Sequence, residues 1–213
     1  MALTPVWEQR LWARGYRRVA GLDEAGRGAW AGPVVAAAVV LPIDAESLRH
    51  LAGVRDSKQL GPDRREAWLE VIERYALAWG VGIVPAAEID ALGIVPATRK
   101  AMALALSVLS PSADYLLIDH LRLPEVQIPQ YSLPKGDAQV LSIAAASIVA
   151  KVNRDRIMNQ LAEQFPDYGF AQHKGYGTAR HRLALEELGP CAVHRFSFVP
   201  LQDYSHPVSC SSH

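Results

Sequence analysis

Cysteine, net charge and uninterrupted apolar sequence are all scarce in this chain. There are two cysteines, Cys191 and Cys210, in 213 residues. That is too few for a disulfide framework, so reduced thiols are expected. Cys191-x-x-His194 has no second pair at zinc spacing and does not read as a metal site. Lys and Arg total 22, as do Asp and Glu, so the net charge is zero. A zero balance excludes a protein drawn to polyanions by its whole-molecule field, and any phosphate contact must come from local clusters. The longest apolar stretch, residues 29–43, contains Gly32, Pro33 and Pro42 and is shorter than the roughly 20 residues of a spanning helix. The first ten residues carry Pro5 and Glu8 and no apolar core, so they do not read as a secretion signal. A cytoplasmic protein with no membrane contact is expected. Internal repeats, low-complexity segments, a Walker A sequence and a G-x-S-x-G elbow are also missing.

What is present is enough apolar sequence for a core: 50% of the residues are hydrophobic. This predicts one domain over residues 1–204, acting as a monomer, with the small polar run 205–213 as a disordered tail. Residues 18–23, 33–41, 77–84 and 114–119 read as strands, and residues 62–75, 96–109, 137–165 and 178–188 as helices. Ala144, Ala145, Ala146 and Ser147 give the longest helix a small-residue face suited to close packing. Strands alternating with helices, with the early strands close together, predict an α/β domain. The connection between Asp119 and Asp137, with Pro124, Pro129 and Pro134, reads as irregular.

Acidic residues collect at element ends. Asp23 and Glu24 close an apolar strand, Asp119 closes another, and Asp137 reads as the first residue of a helix. Each alone fits a cap or turn. Together they point to a cation, because isolated carboxylates are costly to bury and α/β folds place ligand sites at these ends. Asp23 and Glu24 would point to opposite faces of a regular strand, so sequence reasoning requires a bend there, which Gly26 and Gly28 permit. Asp155, eighteen residues beyond Asp137, lies about 27 Å along the helix and reads as an ion-pair or solvent residue. Residues 135–182 hold seven Lys or Arg against four acids, a local basic surplus suited to phosphates.

Longer motifs name a family. GLDEAGRGAWAGPVVAAAVV (21–40), DSKQL (56–60), LLID (116–119), KGD followed by SIAAASIVAKVNRDR (135–156), YGF with HKGYGT (168–178) and HRFSF (194–198) occur in the order of ribonuclease HII. The chain resembles that family over about residues 19–198. It departs from the usual pattern at Ala29-Trp30, where the family has Pro-Leu, and at Asn153, often Thr. The resemblance implies a ribonuclease H-like fold: a mixed five-stranded sheet flanked by helices, with a helical C-terminal part. It implies Asp23, Glu24, Asp119 and Asp137 as catalytic ligands of two Mg²⁺ or Mn²⁺ ions. It implies cleavage 5′ of ribonucleotides in RNA–DNA hybrids or in duplex DNA, leaving 3′-hydroxyl and 5′-phosphate ends. By the same resemblance Gly26, Arg27 and Gly28 read the 2′-hydroxyl, Tyr176 stacks on the following deoxyribose, and Lys58 contacts phosphate. Two hard cations about 4 Å apart suit such a hydrolysis and need no protein nucleophile. The competing readings are another two-metal hydrolase on the same kind of fold and a non-catalytic nucleotide-binding module.

Overall fold

The computed structural model describes residues 3–54, 57 and 60–204. The expectations of a disordered tail at 205–213 and of a phosphate contact at Lys58 lie outside the described residues. Five strands form one sheet: β1 (Val19–Ala25), β2 (Val34–Val40), β3 (Ala78–Val84), β4 (Tyr115–Asp119) and β5 (Gln130–Leu133), in the order β3-β2-β1-β4-β5. β1 pairs antiparallel with β2, and β2 with β3. β1 and β5 flank β4 in parallel. The sheet is therefore mixed, as the resemblance implied.

Helices cover both faces. On one, α5 (Ile94–Ser107) brings Ala97, Ala101 and Ala105 against Ala20, Leu22, Ala36 and Ala38. On the other, α6 (Leu141–Gln164) and α3 (Pro62–Tyr75) pack on Ala37 and Val39. This explains why β2 reads VVAAAVV without polar alternation: both faces are buried, and its alanines let helices approach closely. At Gly21 of β1 the helix comes so near that an added Cβ would lie 2.2 Å from the Ser142 backbone. The small-residue run of α6 thus packs tightly against the sheet, as expected.

The C-terminal part is helical, with α7 (Phe170–His173) and α8 (Ala179–Leu188). Thr178 caps α8 by accepting the His181 N–H, and Gly189 stops it in the left-handed region. Besides α7, three short helices were not expected: α1 (Val6–Trp12), α2 (Ala45–Leu51) and α4 (Ala86–Leu92). At two turns each they are too short to show periodicity.

Two readings need correction. The connection between Asp119 and Asp137 is not wholly irregular, because it contains β5. The polar run QYSL, between Pro129 and Pro134, carries no apolar strand signal; its pairing with β4 makes it a strand. Asp137 does not begin the long helix. It sits in a 3-10 turn, Gly136–Ala138, and α6 starts at Leu141 after the extended Val140. The end of α6 is capped from elsewhere in the sequence: buried Glu8 of α1 accepts the Ser142 N–H at 2.8 Å.

Candidate active site

β1 runs past the end of its pairing with β4. That parallel ladder stops at Leu22 with Ile118, while β1 stays paired with β2 through Ala25. The exposed edge of β1 therefore opens where β4 ends in Asp119. A cleft of about 230 Å³ forms there, lined by Asp23, Glu24, Asp119, the Gly26-Arg27-Gly28 loop, Lys151 and Tyr176. A larger cavity of about 430 Å³ lies beside Leu60 and Trp68, but among the described residues Arg64 is its one charged lining residue and no carboxylate lines it.

The bend expected at Asp23-Glu24 is absent. Pairing with β2 continues through both, and the chain turns only at Gly26. The cleft instead wraps around the free strand edge and takes in side chains from both faces.

Asp23 is 4% exposed. Burial above all, then the charges of Glu24, Asp119 and Asp137, holds its carboxyl well above the usual carboxylate range. Asp137, itself buried, does not line the cleft but stands close enough to act on Asp23. Burial also raises Glu24, against the opposing pull of Arg27, whose Nη1 lies 3.6 Å from Oε1. Glu24 Oε2 is buried without a hydrogen-bond partner. Asp23 Oδ1 accepts the Glu24 N–H at 2.7 Å, and Asp119 Oδ1 accepts the Gly136 N–H at 2.7 Å. Among the described residues no three His, Cys, Asp or Glu side chains are already drawn onto one ion position.

The glycine loop is held from below by two buried arginines that the sequence reading did not single out. Arg154 donates to the carbonyls of Ala31, Pro33 and Lys174, and Arg195 to those of Arg27 and Gly32. Arg154 was counted in the basic surplus, but it is fully buried and unavailable to phosphate. The motif NRDR gave no sign of this, because only the fold shows which Arg turns inward. Gly26 (φ +89) leaves no room for a side chain, since a Cβ would lie 1.8 Å from Arg154 Nε. Gly28 is different: it is not in the left-handed region, and among the described residues nothing beyond its chain neighbours lies within 4 Å of its Cβ position. The expectation that Gly28 needs glycine for its backbone is therefore wrong; only space above the loop remains as a reason.

Tyr176 stands across the cleft, 36% exposed, with Lys151 and Arg154 over its ring at 5.9 and 5.3 Å. The turn carrying it locks to the glycine loop, because Gly175 O accepts the Trp30 N–H at 2.8 Å. Trp30, one of the departures from the family pattern, fits against Gly177, where a Cβ would lie 2.2 Å from the indole. Asp155 pairs with Lys151 at 2.6 Å and Arg65 at 3.6 Å, as an ion-pair residue should. His120, next to Asp119, also bears on Glu24 and was not anticipated.

The family model for ribonuclease HII matches residues 20–200. The chain is 59% identical over 195 residues to a ribonuclease HII from Chloroflexus aggregans, covering 91% of this chain and 92% of that one. It is 53% identical over 197 residues to one from Geobacillus kaustophilus, covering 92% of this chain and 74% of that one. The crystal structure of the ribonuclease H2 from Pyrococcus horikoshii OT3 is similar with a TM-score of 0.75 at 28% identity, over 87% of this chain and 95% of that one. Among the described residues no helix is long and apolar enough to cross a membrane.

Proposed function

The chain belongs to the ribonuclease HII family, and from that membership and the cleft we propose that it cuts the phosphodiester 5′ of ribonucleotides, in RNA–DNA hybrids and singly embedded in duplex DNA. Membership makes it a metal-dependent ribonuclease H, a hydrolase of RNA–DNA hybrids. The observation that carries the finer reading is a buried Asp23 under the charge of three other carboxylates, lining with Glu24 and Asp119 a cleft shared with an open glycine loop and a half-exposed tyrosine.

The site suits divalent cations. Its donors are all oxygens, which favours Mg²⁺ or Mn²⁺. The unpartnered Glu24 Oε2 and the mutual repulsion at Asp23 are what a cation would relieve. Asp23, Glu24, Asp119 and Asp137 would hold two such ions. When bound, they supply Lewis acidity toward the phosphodiester and a water acidic enough to attack at neutral pH. The cut leaves 3′-hydroxyl and 5′-phosphate ends.

The rest of the cleft positions substrate. Backbone groups of Gly26-Arg27-Gly28 approach the 2′-hydroxyl, a donor and acceptor that distinguishes ribose from deoxyribose. The empty space over Gly28 leaves room for that sugar. Arg27 and Lys151 offer positive charge to the flanking phosphates. Tyr176 lays its ring on the next sugar, and Lys58 is proposed to contact phosphate. The protein is proposed to act as a monomer.

Tyr176→Ala is expected to lower cleavage of a single embedded ribonucleotide more than cleavage of a long hybrid. Only the first substrate always places a deoxyribose beside the ring. The measurement is the ratio of activities on the two substrates. An unchanged ratio would make Tyr176 a packing residue.

A further inference from the structure

Behind the Tyr176 turn lies a group that the reaction itself does not use: buried His173 of α7, His181 of α8 and His194, with the partly buried Cys191 in the segment after α8. His181 Nε2 and His194 Nε2 are 3.0 Å apart. His181 Nδ1 lies 3.0 Å from the Tyr176 carbonyl oxygen. At the other end, the Cys191 backbone N–H and thiol approach His194 Nδ1 at 2.9 and 3.2 Å. His173 stacks on His181 with ring centroids 4.4 Å apart.

These distances admit one arrangement of protons on neutral rings. The Tyr176 carbonyl can only accept, so His181 must carry its proton on Nδ1. Its Nε2 is then an acceptor, and His194 must donate from Nε2. His194 Nδ1 is left as an acceptor, which the Cys191 N–H requires. The opposite arrangement would turn His194 Nδ1–H toward the Cys191 carbonyl at 3.2 Å. It would then set two N–H groups against each other at Cys191 and two lone pairs at the Tyr176 carbonyl, so it fails at both ends. His173 is fixed independently: Nε2 donates to the Tyr168 carbonyl at 2.7 Å and Nδ1 accepts the Gly175 N–H at 3.2 Å.

We infer that Cys191, His194 and His181 form a directional hydrogen-bond relay that holds the Tyr176 backbone at the cleft, making His181 and His194 positioning residues for the reaction. The inference rests on the reading of Tyr176 given above. His173 secures the preceding residue of the same turn. A family tyrosine is thus set not by its own side chain but by its carbonyl, through a chain ending fifteen residues later in sequence at Cys191.

The relay is built to stay neutral. A proton added to His181 Nε2 would face the His194 N–H, and one added to His194 Nδ1 would face the Cys191 donors. Burial, before the neighbouring rings, accordingly pushes both His181 and His194 down to about 4. The other titratable or charged groups that bear on the cluster are Tyr168, whose ring centroid lies 5.1 Å from that of His194, and Arg180 of α8, whose charge acts on His173. Both folded values lie below the ordinary imidazole value of 6.5. An unfolded chain therefore takes up protons first as pH falls. The relay's contribution to stability is complete above about pH 6.5 and is lost between there and about pH 4.

The test has two arms on the full chain. Proton–nitrogen correlation spectra of imidazole-labelled wild-type protein at pH 7 read the tautomers directly. The expected result is Nδ1–H for His181 and Nε2–H for His194 and His173. Nε2–H on His181, Nδ1–H on His194, or a charged ring in either, overturns the relay. The second arm measures cleavage of a single embedded ribonucleotide. His181→Leu should lower it about tenfold, and His181→Asn, whose amide N–H can reach the Tyr176 carbonyl, should restore most of it. In a Tyr176→Ala background neither substitution should change the rate further. An equal loss in that background would mean that His181 does not act through Tyr176. If Tyr176→Ala alone is silent, the reading of Tyr176 fails and the spectra alone judge the relay. If His181→Leu does not fold, the wild-type spectra and His181→Asn still decide.

Discussion

Asp23→Asn is expected to lower cleavage by roughly a hundredfold or more, the scale of removing a preorganised charge from a reaction centre. The metal-free protein should remain at least as stable as wild type. The two effects have one cause. Asp23 is buried among Glu24, Asp119 and Asp137, so its ionised form is opposed by burial and by like charge together. An amide of the same shape removes that opposition and, with it, the charge that a cation needs. Asp119→Asn should behave similarly in activity. Its Oδ1 accepts the Gly136 N–H, a bond an asparagine oxygen can keep, so the fold should survive. Rates with Mg²⁺ and melting curves in chelator check both variants. Near-normal cleavage in either would remove that residue from the site, and a large loss of stability would mean that its carboxylate serves the fold.

The glycine loop offers the second large effect, through a contrast between neighbours. Gly26→Ala should cost roughly 1–3 kcal/mol of stability. It places a side chain in the left-handed region and drives Cβ into Arg154, which three carbonyls hold in place. Gly28→Val should leave stability unchanged, because among the described residues nothing beyond its chain neighbours lies within 4 Å of its Cβ position. It should still reduce cleavage by about a hundredfold, as expected when a bound group is displaced by about 1 Å. Melting curves and rates on an embedded ribonucleotide separate the two positions. Normal cleavage by Gly28→Val would show that the ribose does not lie over Gly28.

The sequence was most informative where local pattern and burial agree. α3 was expected at residues 62–75 and spans Pro62–Tyr75, because Pro at its start and a charged first turn mark it plainly. All four expected strands begin and end within two residues of expectation, since their apolar runs are bounded by Gly, Pro or Asp. β5 was hidden because its four residues are polar and gain their structure only by pairing with β4. The start of α6 was misread because Asp137 looks like an N-cap, while the real cap is Glu8, 134 residues away.

At the site, the acids could be picked out by their places at element ends. Their meeting point could not, because it depends on how far β1 outruns β4. Sequence reasoning invoked a bend where the sheet instead leaves an edge open. Arg154 and Arg195 were read as ordinary motif residues, although both are buried beneath the loop. Inward and outward arginines look alike in a sequence. The imidazole relay was equally hidden: Cys191 and His194 were weighed as a zinc pair, His173 and His194 stood only as motif residues, and His181 drew no notice.

The central claim is that this cleft recognises one ribonucleotide and cuts beside it. The most direct measurement uses a DNA duplex with a single embedded ribonucleotide, incubated with Mg²⁺, beside an all-DNA duplex of the same sequence. One cut is predicted, on the 5′ side of the ribonucleotide, leaving a 3′-hydroxyl and a 5′-phosphate, with the control intact and all cleavage stopped by chelator. Cleavage of the all-DNA duplex, or an intact ribonucleotide-containing strand, would contradict the account.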